Sequence, residues 1–541
     1  MVASQCVPCT KGSTRPAGDD ASFEDTSCIP TLCQADEYVQ ENTCIPCPVG
    51  TRNEVGDDAS LEDTSCEPVL CAQDEFVQDH TCTLCAPGTM RPAGDDASGS
   101  DTSCEAVLCA ENQRVLDHTC TPCSTGLTRA AGDDASGNDT SCTRWQTPLY
   151  MSNTHTCAKM QDRTLKCWGR NHVGQLGIGT VEPTEQTSPV TVPELSNILE
   201  VAIGNNRSCA ILTPGQVKCW GTQHSNKWLG VQSAETIVPT PLDVRDLSNA
   251  VHLSIPANGN WTCAILSSGQ SACWGDSDFG QAGITGSTKW PKTIADTFKS
   301  RSLKLGVFTS CVLLESGQSA CWGVNGGLFA NGISDNNNAA QTSQYPSSIM
   351  DFKLGSVHVC ALLDTREVWC AGANSSSQIT NVYQDEMRIT SPVKIEGIEA
   401  AEQLIVGFLY NCVRGEDELV KCWGTLPGGL EYGLPQTIQN LTGARDIQGD
   451  DTFACALLDT GEVACWGRND HGQLGDGTRT DSLGTATRVS GITNAVSIHV
   501  GPKRACALLD DGKIMCWGYN EYGVLGDGTT QDKLTPILLE L

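Results

Sequence analysis

No apolar run in this 541-residue chain approaches the ~18 residues of a membrane-spanning helix, so no membrane insertion is expected. Basic residues are also in short supply. Lys and Arg number 34 against 64 Asp and Glu, a net charge of −30, which argues against nucleic acid or an anionic lipid surface as partner. The nine histidines scatter without forming an HExxH, a spaced Cys/His cluster or a Ser/His/Asp set. No glycine loop cradles a phosphate. The expectation is therefore a protein with no catalytic residues and no cofactor. Met1 is not followed by the apolar stretch of a signal peptide.

Cysteine, in contrast, is abundant, with 31 copies. Eight times two cysteines stand ten residues apart, and the second is nearly always followed by Trp-Gly. The pairs are Cys157 with Cys167, Cys209 with Cys219, Cys263 with Cys273, Cys311 with Cys321, Cys360 with Cys370, Cys412 with Cys422, Cys455 with Cys465 and Cys506 with Cys516. They recur every 43 to 54 residues, the period of a β-propeller blade. Within Cys506–Cys516, Asp510-Asp511-Gly512 reads as a three-residue hairpin loop with Gly in the left-handed position. Counting back from that loop puts Cys506 opposite Cys516 in a non-hydrogen-bonded pair, with Cα atoms roughly 4.5 Å apart. This is within reach of a disulfide. All eight pairs are read as cross-strand disulfides; reduced, half-buried thiols and a metal site are the alternatives.

His155-Thr156-Cys157-Ala158, Cys167-Trp168-Gly169-Arg170-Asn171 and Gly174-Gln175-Leu176-Gly177 resemble the regulator of chromosome condensation repeat. The likeness returns at Cys465–Asn469 with Gly472–Thr478, and at Cys516–Asn520 with Leu525–Thr529, and fades between. Such a resemblance implies a propeller, usually of seven blades. Eight hairpins favour eight blades, with seven as the alternative. Residues 536–541 are expected to supply the strand that blade one lacks and so to close the ring. Trp168, Trp220, Trp274, Trp322, Trp423, Trp466 and Trp517 recur at one blade position and are expected to pack between blades.

Residues 1–145 form a second repeat, with a 38-residue period: three full units and a truncated first one. Apolar residues are few, so this elongated arm must be stapled. Its pairing is expected as Cys9–Cys28, Cys33–Cys44, Cys47–Cys66, Cys71–Cys82, Cys85–Cys104, Cys109–Cys120 and Cys123–Cys142. Cys6 is left over, as if the chain began inside a longer array; a free or intermolecular Cys6 is the rival account. Cys47-Pro48-Val49-Gly50-Thr51 and Cys85-Ala86-Pro87-Gly88-Thr89 resemble modules of tumour necrosis factor receptor and ephrin receptor ectodomains. The clusters of Asp57, Asp58 and Asp63 and of Asp95, Asp96 and Asp101 are calcium candidates by their oxygen chemistry, set against a plain turn-and-cap role.

The arm (1–145) carries 7 basic and 25 acidic residues, and the propeller (146–541) 27 and 39. An all-β, disulfide-rich, acidic chain fits an oxidising compartment. There, Asn138, Asn206, Asn260, Asn374 and Asn440 are glycosylation candidates. The expected function is an extracellular or cell-surface binding protein. Its propeller loops would recognise a protein or glycan, with the arm as spacer or stalk. The least repeat-like loops, Val324–Ser348 and those after Ala371-Gly372 and Leu426, are the expected partner surface. A structural component of a filament or coat, through self-assembly, is the alternative. An intracellular guanine-nucleotide exchange regulator is disfavoured by the cysteine pairs and the negative charge.

Overall fold

The computed structural model describes residues 5–20, 26–110, 113–123, 127–128, 132–141, 143–144, 148–223, 228–379, 388–426 and 428–541. Every regular element among them is a β-strand, and none is a helix long and apolar enough to cross a membrane. The chain divides into two compact units, Met1–Trp145 and Gln146–Leu541.

The second unit is an eight-bladed propeller. Each blade is a four-stranded antiparallel sheet whose strands follow sequence order. Blade one is Leu149–Met151, His155–Lys159, Leu165–Arg170 and Glu185–Thr191. Blade eight is Ala495–Gly501, Arg504–Leu509, Ile514–Gly518 and Lys533–Leu539.

The second and third strands form the disulfide hairpin. In blade eight Cys506 faces Cys516, and the turn is held by Leu509 N to Lys513 O (2.8 Å) and Gly512 N to Leu509 O (3.0 Å). Gly512 has φ 85°, and the residues that replace glycine at that position, Arg163, Arg366 and Glu418, adopt φ 61°, 65° and 60°. The loop geometry therefore survives loss of glycine, at some backbone strain.

All eight hairpins are crosslinked as the spacing predicts. The bonds are Cys157–Cys167, Cys209–Cys219, Cys263–Cys273 and Cys311–Cys321 in blades one to four. Cys360–Cys370, Cys412–Cys422, Cys455–Cys465 and Cys506–Cys516 follow in blades five to eight. In each blade the two cysteines are direct cross-strand partners, so Cys219, Cys273, Cys321, Cys370 and Cys422 face Cys209, Cys263, Cys311, Cys360 and Cys412. Only the spacing needs correction. The Cα atoms lie 4.0–4.1 Å apart, closer than the roughly 4.5 Å of an uncrosslinked pair, because the sulfur bridge draws the two strands together.

The Cys-Trp-Gly signature has a local cause. Between the third and fourth strands the register slips by two residues opposite the tryptophan, since Cys167 pairs with Val190 but Gly169 with Gln186. The bulge lies in the fourth strand, turns it, and leaves the tryptophan without a fourth-strand partner. Gly169 takes φ 106°, and a Cβ there would lie 2.7 Å from Thr154 O. Only glycine fits. The freed tryptophan enters the seam to the preceding blade, where Trp168, Trp220, Trp274, Trp322, Trp423, Trp466 and Trp517 are all fully buried.

The expected ring closure is corrected. Lys533–Leu539 is the fourth strand of blade eight, with Cys516 opposite Ile537, and does not enter blade one, which is built wholly from residues 149–191. The segment containing Pro189–Val192 ends blade one instead of starting blade two, so the repeat begins one strand later than the pattern suggested. Closure rests on side-chain packing, with a backbone bond from Gly528 N to Thr187 O (2.9 Å) across the seam. Leu149, Ala158 and Trp168 of blade one share a core with Leu508, Ile514, Leu525 and Leu539 of blade eight.

The first unit has little core. Short ribbons such as Glu75–Gln78 with Thr81–Leu84 are joined by the disulfides Cys9–Cys28, Cys33–Cys44, Cys47–Cys66, Cys71–Cys82, Cys85–Cys104 and Cys109–Cys120. Cys142, and with it the expected Cys123–Cys142 bond, lies outside the described residues. A typical buried cluster is Cys33, Val39 and Ala59. Successive units meet through the bridges Leu32–Asp58, Leu70–Asp96 and Leu108–Asp134.

Candidate functional site

In an antiparallel blade the turn from first to second strand and the loop from third to fourth emerge at the same end of the ring. The crosslinked hairpin turns emerge at the other. Backbone bonds tie the two connections of a blade together: Thr222 N to Asn206 O, Val324 N to Phe308 O, and Tyr519 N to Lys503 O.

Each long loop there is organised by one buried side chain. Asn171 accepts from Leu176 N and donates to Thr180 O. Asn469 does the same for Leu474 and Thr478, and Asn520 for Leu525 and Thr529. The loop then holds the next blade: Trp220 Nε1 donates to Gln175 O, Trp322 to Gln281 O, Trp423 to Gln378 O, Trp517 to Gln473 O, and Trp168 to Val524 O, all at 2.9–3.0 Å. The Gly-x-Leu-Gly motif is thus a clamp for a neighbouring indole. Val324–Ser348, expected as a divergent partner loop, is a regular member of this series. Asn325 accepts from Phe329 N and donates to Ile333 O, and Asn337–Thr342 is the fourth strand of blade four. Phe329 fills the place of the usual leucine, so the motif was hidden while the geometry was kept. Residues 380–387 and Pro427, in the other two expected loops, lie outside the described residues.

A second ring of contacts was not foreseen. The residue two before the first cysteine of each pair is His155, Arg207, Trp261, Thr309, His358, Tyr410, Phe453 and Arg504 in turn, and all are buried. Most reach into the next blade. His155 Nε2 meets Ser208 Oγ (2.8 Å), and Arg207 donates to Gly259 O and Trp261 O (2.7 Å each). Trp261 donates to Ser310 Oγ, His358 meets Asn411 Oδ1 (2.7 Å), and Tyr410 donates to Asp450 O (2.7 Å). Arg504 donates across the closing seam to Ser152 O and Thr156 Oγ1. Burial lowers His155 to about 3, helped by the Arg504 charge, and lowers His358 to about 4. It also lowers Arg207 and Arg504 to about 9. Asp450 is raised by burial, although it accepts from Lys503, Thr452 and Phe453 backbone N–H groups. No shared residue type marks this column; only its fixed offset from the cysteine could have revealed it.

Among the described residues, two concavities lie at the turn-and-loop end. A small polar cavity of about 100 Å³ lies over blades two and three, lined by Asn205, Asn206, Arg207, Asn258, Asn260 and Trp228 among others. An open cleft of about 540 Å³ lies over blades seven and eight. There His471 Nδ1 is 2.9 Å from Asp532 and packs edge-on against Tyr519, and Arg479 also reaches Asp532. These groups hold one another and line a charged, aromatic recess.

The acids of the arm sit at separate turns. Asp57 accepts from Thr64 and Asn53, which holds its carboxyl below the usual range. Asp95 accepts from Arg91 and Thr102 with the same result. Asp58 and Asp96 cap Ser60 and Ser98, while Asp63 and Asp101 accept from the amides of Glu41 and Asp79. Among the described residues, Cys71, Glu75 and Cys82 form a metal-sized grouping, but its two sulfurs are bonded to each other. Of the glycosylation candidates, Asn138, Asn206 and Asn440 are exposed, and Asn260 and Asn374 are half-buried.

Comparison with known proteins adds the following. Two models of the regulator of chromosome condensation (RCC1) repeat match residues 167–211 and 511–541, and 150–175, 449–473 and 495–524. The chain is 25% identical over 395 residues to human E3 ubiquitin-protein ligase HERC2, covering 69% of this chain and 7% of that protein. It is 28% identical over 212 residues to the ultraviolet-B receptor UVR8 of Arabidopsis thaliana, covering 37% of this chain and 48% of the receptor. The chain thus spans less than two thirds of either relative. In structure it is similar to human WBSCR16, with TM-score 0.50 and 18% identity over 64% of this chain and 100% of that one, a likeness of fold alone. The matched stretches fall in blades one, two, seven and eight of the eight-bladed ring, and there the chain matches the regulator of chromosome condensation repeat.

Proposed function

We propose that this chain is an extracellular or cell-surface binding protein whose propeller presents its turn-and-loop end to a macromolecular partner, with the cysteine-rich unit as spacer. The observation that carries this reading is the crosslink in every blade hairpin, joined by six described disulfides in the first unit. Bonds of this number form and persist in oxidising surroundings. The role is recognition, because the buried titratable groups of the ring are engaged in joining blades, and the outward groups form a mixed polar and aromatic surface of the kind enriched at interfaces. The ligase activity named for HERC2 stays with that protein, of which this chain spans 7%.

The test is thiol accessibility. The protein is isolated from its own cells without reductant, unfolded in an alkylating agent, and mapped by mass spectrometry. The expected result is unlabelled cysteines throughout the propeller. Labelling of Cys157 to Cys516 as free thiols would overturn the oxidising-compartment reading.

A further inference from the structure

The rim at the turn-and-loop end is divided into chemically different sectors. Its first-to-second-strand turns touch from blade to blade. Asn153 Nδ2 donates to Asn205 Oδ1, Lys503 N donates to Asp450 Oδ2, and Tyr410 bridges blade six to Asp450 O. In blades four to six the backbones of Gly306, Gly355 and Gly407 follow one another at close range. Aligned on the cysteines, the turn residue is asparagine in blades one and two (Asn153, Asn205) and Gly259, next to Asn258, in blade three. In blades four and six it becomes Val307-Phe308 and Phe408-Leu409. Val307 is 37% exposed, Phe308 45% and Phe408 44%. Phe279, 53% exposed on the blade-three loop, extends this arc by packing edge-on against Phe308 with ring centroids 5.2 Å apart. The blade-five turn between them, Ser356-Val357, is half-buried.

Both ends of the arc are acidic. Asp278 adjoins Phe279, Asp451 follows the blade-six turn around the ring, and both are exposed. The turns of blades three to seven, residues 255–260, 306–308, 355–357, 407–409 and 450–452, contain no Lys or Arg. Aromatic side chains held outward on a rigid scaffold are the usual anchors of a binding hot spot. Flanking carboxylates select the sign of what docks beside them.

We propose that this arc docks a cationic, apolar segment of a partner protein, its aromatic or aliphatic side chains seated on Phe308 and Phe408 and its Lys or Arg groups facing Asp278 and Asp451. A second copy of this chain is a poor occupant, since the propeller carries 39 acidic against 27 basic residues and the first unit 25 against 7. The proposal rests on the binding role above and adds the place and the chemistry of the partner.

The probes are two fluorescent peptides with one Phe-Leu-Phe centre, one flanked by lysines and one by glutamates, titrated against the full chain. The variants are F308S/F408S and D278N/D451N, each checked for an unchanged melting temperature; all four side chains are exposed, so folding should persist. The lysine peptide should bind and the glutamate peptide should not. F308S/F408S should weaken binding about tenfold or more, the loss expected for truncating hot-spot anchors. D278N/D451N should weaken it about threefold and flatten its salt dependence. No binding of the lysine peptide, equal binding of both peptides, or lysine-peptide binding that F308S/F408S leaves unchanged would each overturn the proposal; the last would mean diffuse attraction to an acidic surface. A natural partner captured by the chain yet not competed by the lysine peptide would also overturn it, while leaving the binding role intact.

Discussion

The two units use the same bond in opposite ways. In the cysteine-rich unit the disulfides join Cα atoms 5.2–5.8 Å apart around clusters of three buried residues, so the crosslinks stand in for a core. In the propeller the disulfides sit inside sheets that already share tryptophan-centred cores of nine to sixteen residues, with Cα separations of 4.0–4.1 Å. A crosslink restrains the unfolded chain by an amount set by loop length. Loops of similar length therefore give similar entropic terms in both units. What differs is how much else holds the fold.

The largest effect should come from removing a crosslink in the first unit. C71A/C82A loses roughly 3 kcal/mol of unfolded-state restraint, comparable to all that a small unit with so little core can supply. The expected outcome is proteolytic cutting within residues 67–104 of the otherwise folded chain. C506A/C516A loses a term of the same size but leaves the blade packing in place, so the propeller should melt a few degrees lower and stay cooperative. Equal protease resistance in the two variants would erase the distinction between the units.

Next in consequence, though larger in free energy because it falls on a well-packed ring, is loss of the indole clamp. Trp220→Ala empties a fully buried site, removes the bond to Gln175 O and leaves Gly177 without the ring it packs on. A loss of about 3–5 kcal/mol is expected, read as a lower denaturation midpoint. Trp220→Phe should recover the larger part, because area and not the single hydrogen bond dominates the term. If Trp220→Phe melts as low as Trp220→Ala, the bond to the loop carbonyl matters more than packing.

Much of this was legible in the sequence, and the reason is periodicity. A cysteine pair at fixed spacing fixes the hairpin, its register and its face, and the count of pairs gives the count of blades. Strand phase was less legible: Pro189–Val192 and 536–541 look alike, but whether such a segment opens or closes a blade depends on which neighbour it pairs with, which local pattern does not encode. The blade-four loop was hidden because Phe329 replaced leucine while Asn325 kept the geometry. The ring from His155 to Arg504 was hidden for the opposite reason. Its residues share a place and no chemistry, since each is fitted to whatever the next blade offers.

The buried histidines of that ring predict a pH response of the propeller. Folding lowers His155 to about 3 and His358 to about 4. The unfolded chain binds protons at these groups near pH 6.5, and the native ring refuses them. Their stabilising share is fully present above pH 6.5 and declines as pH falls toward the native values. The decline is about 1.4 kcal/mol per pH unit for each histidine, or roughly 2 kcal/mol each by pH 5. Asp450, raised by burial, acts with the opposite sign at the acid end of this window. Denaturant midpoints at pH 7.5, 6.5 and 5.5 should fall with pH, and His155→Gln should reduce the slope by its own share, leaving those of His358, His499 and His172, which burial also lowers. A slope unchanged by that substitution would place the titration elsewhere.

The smallest effect sharpens the comparison at the level of one hydroxyl. In the first unit Thr102 Oγ1 accepts from Val77 N (2.9 Å) and donates to Asp95 Oδ2 (2.7 Å). Thr64 repeats the arrangement with Val39 and Asp57, and Thr140 with Val115 and Asp133. Thr102→Val keeps the shape and removes both bonds. With only a few buried side chains around Val77, little else opposes local opening. The amide of Val77 should exchange roughly tenfold faster, the scale of one unsatisfied donor, while Val39 and Val115 in the neighbouring units keep their protection. The propeller counterpart is Thr156, which donates to Val524 O and accepts from Arg504, yet lies beside Trp168 and the closing core. Thr156→Val should leave exchange at Cys157 and Trp168 within about threefold of the parent, because packing holds the seam when one bond is lost. Were Thr156→Val to open the seam as far as Thr102→Val opens its unit, the closing contact would rest on its polar struts and not on its core.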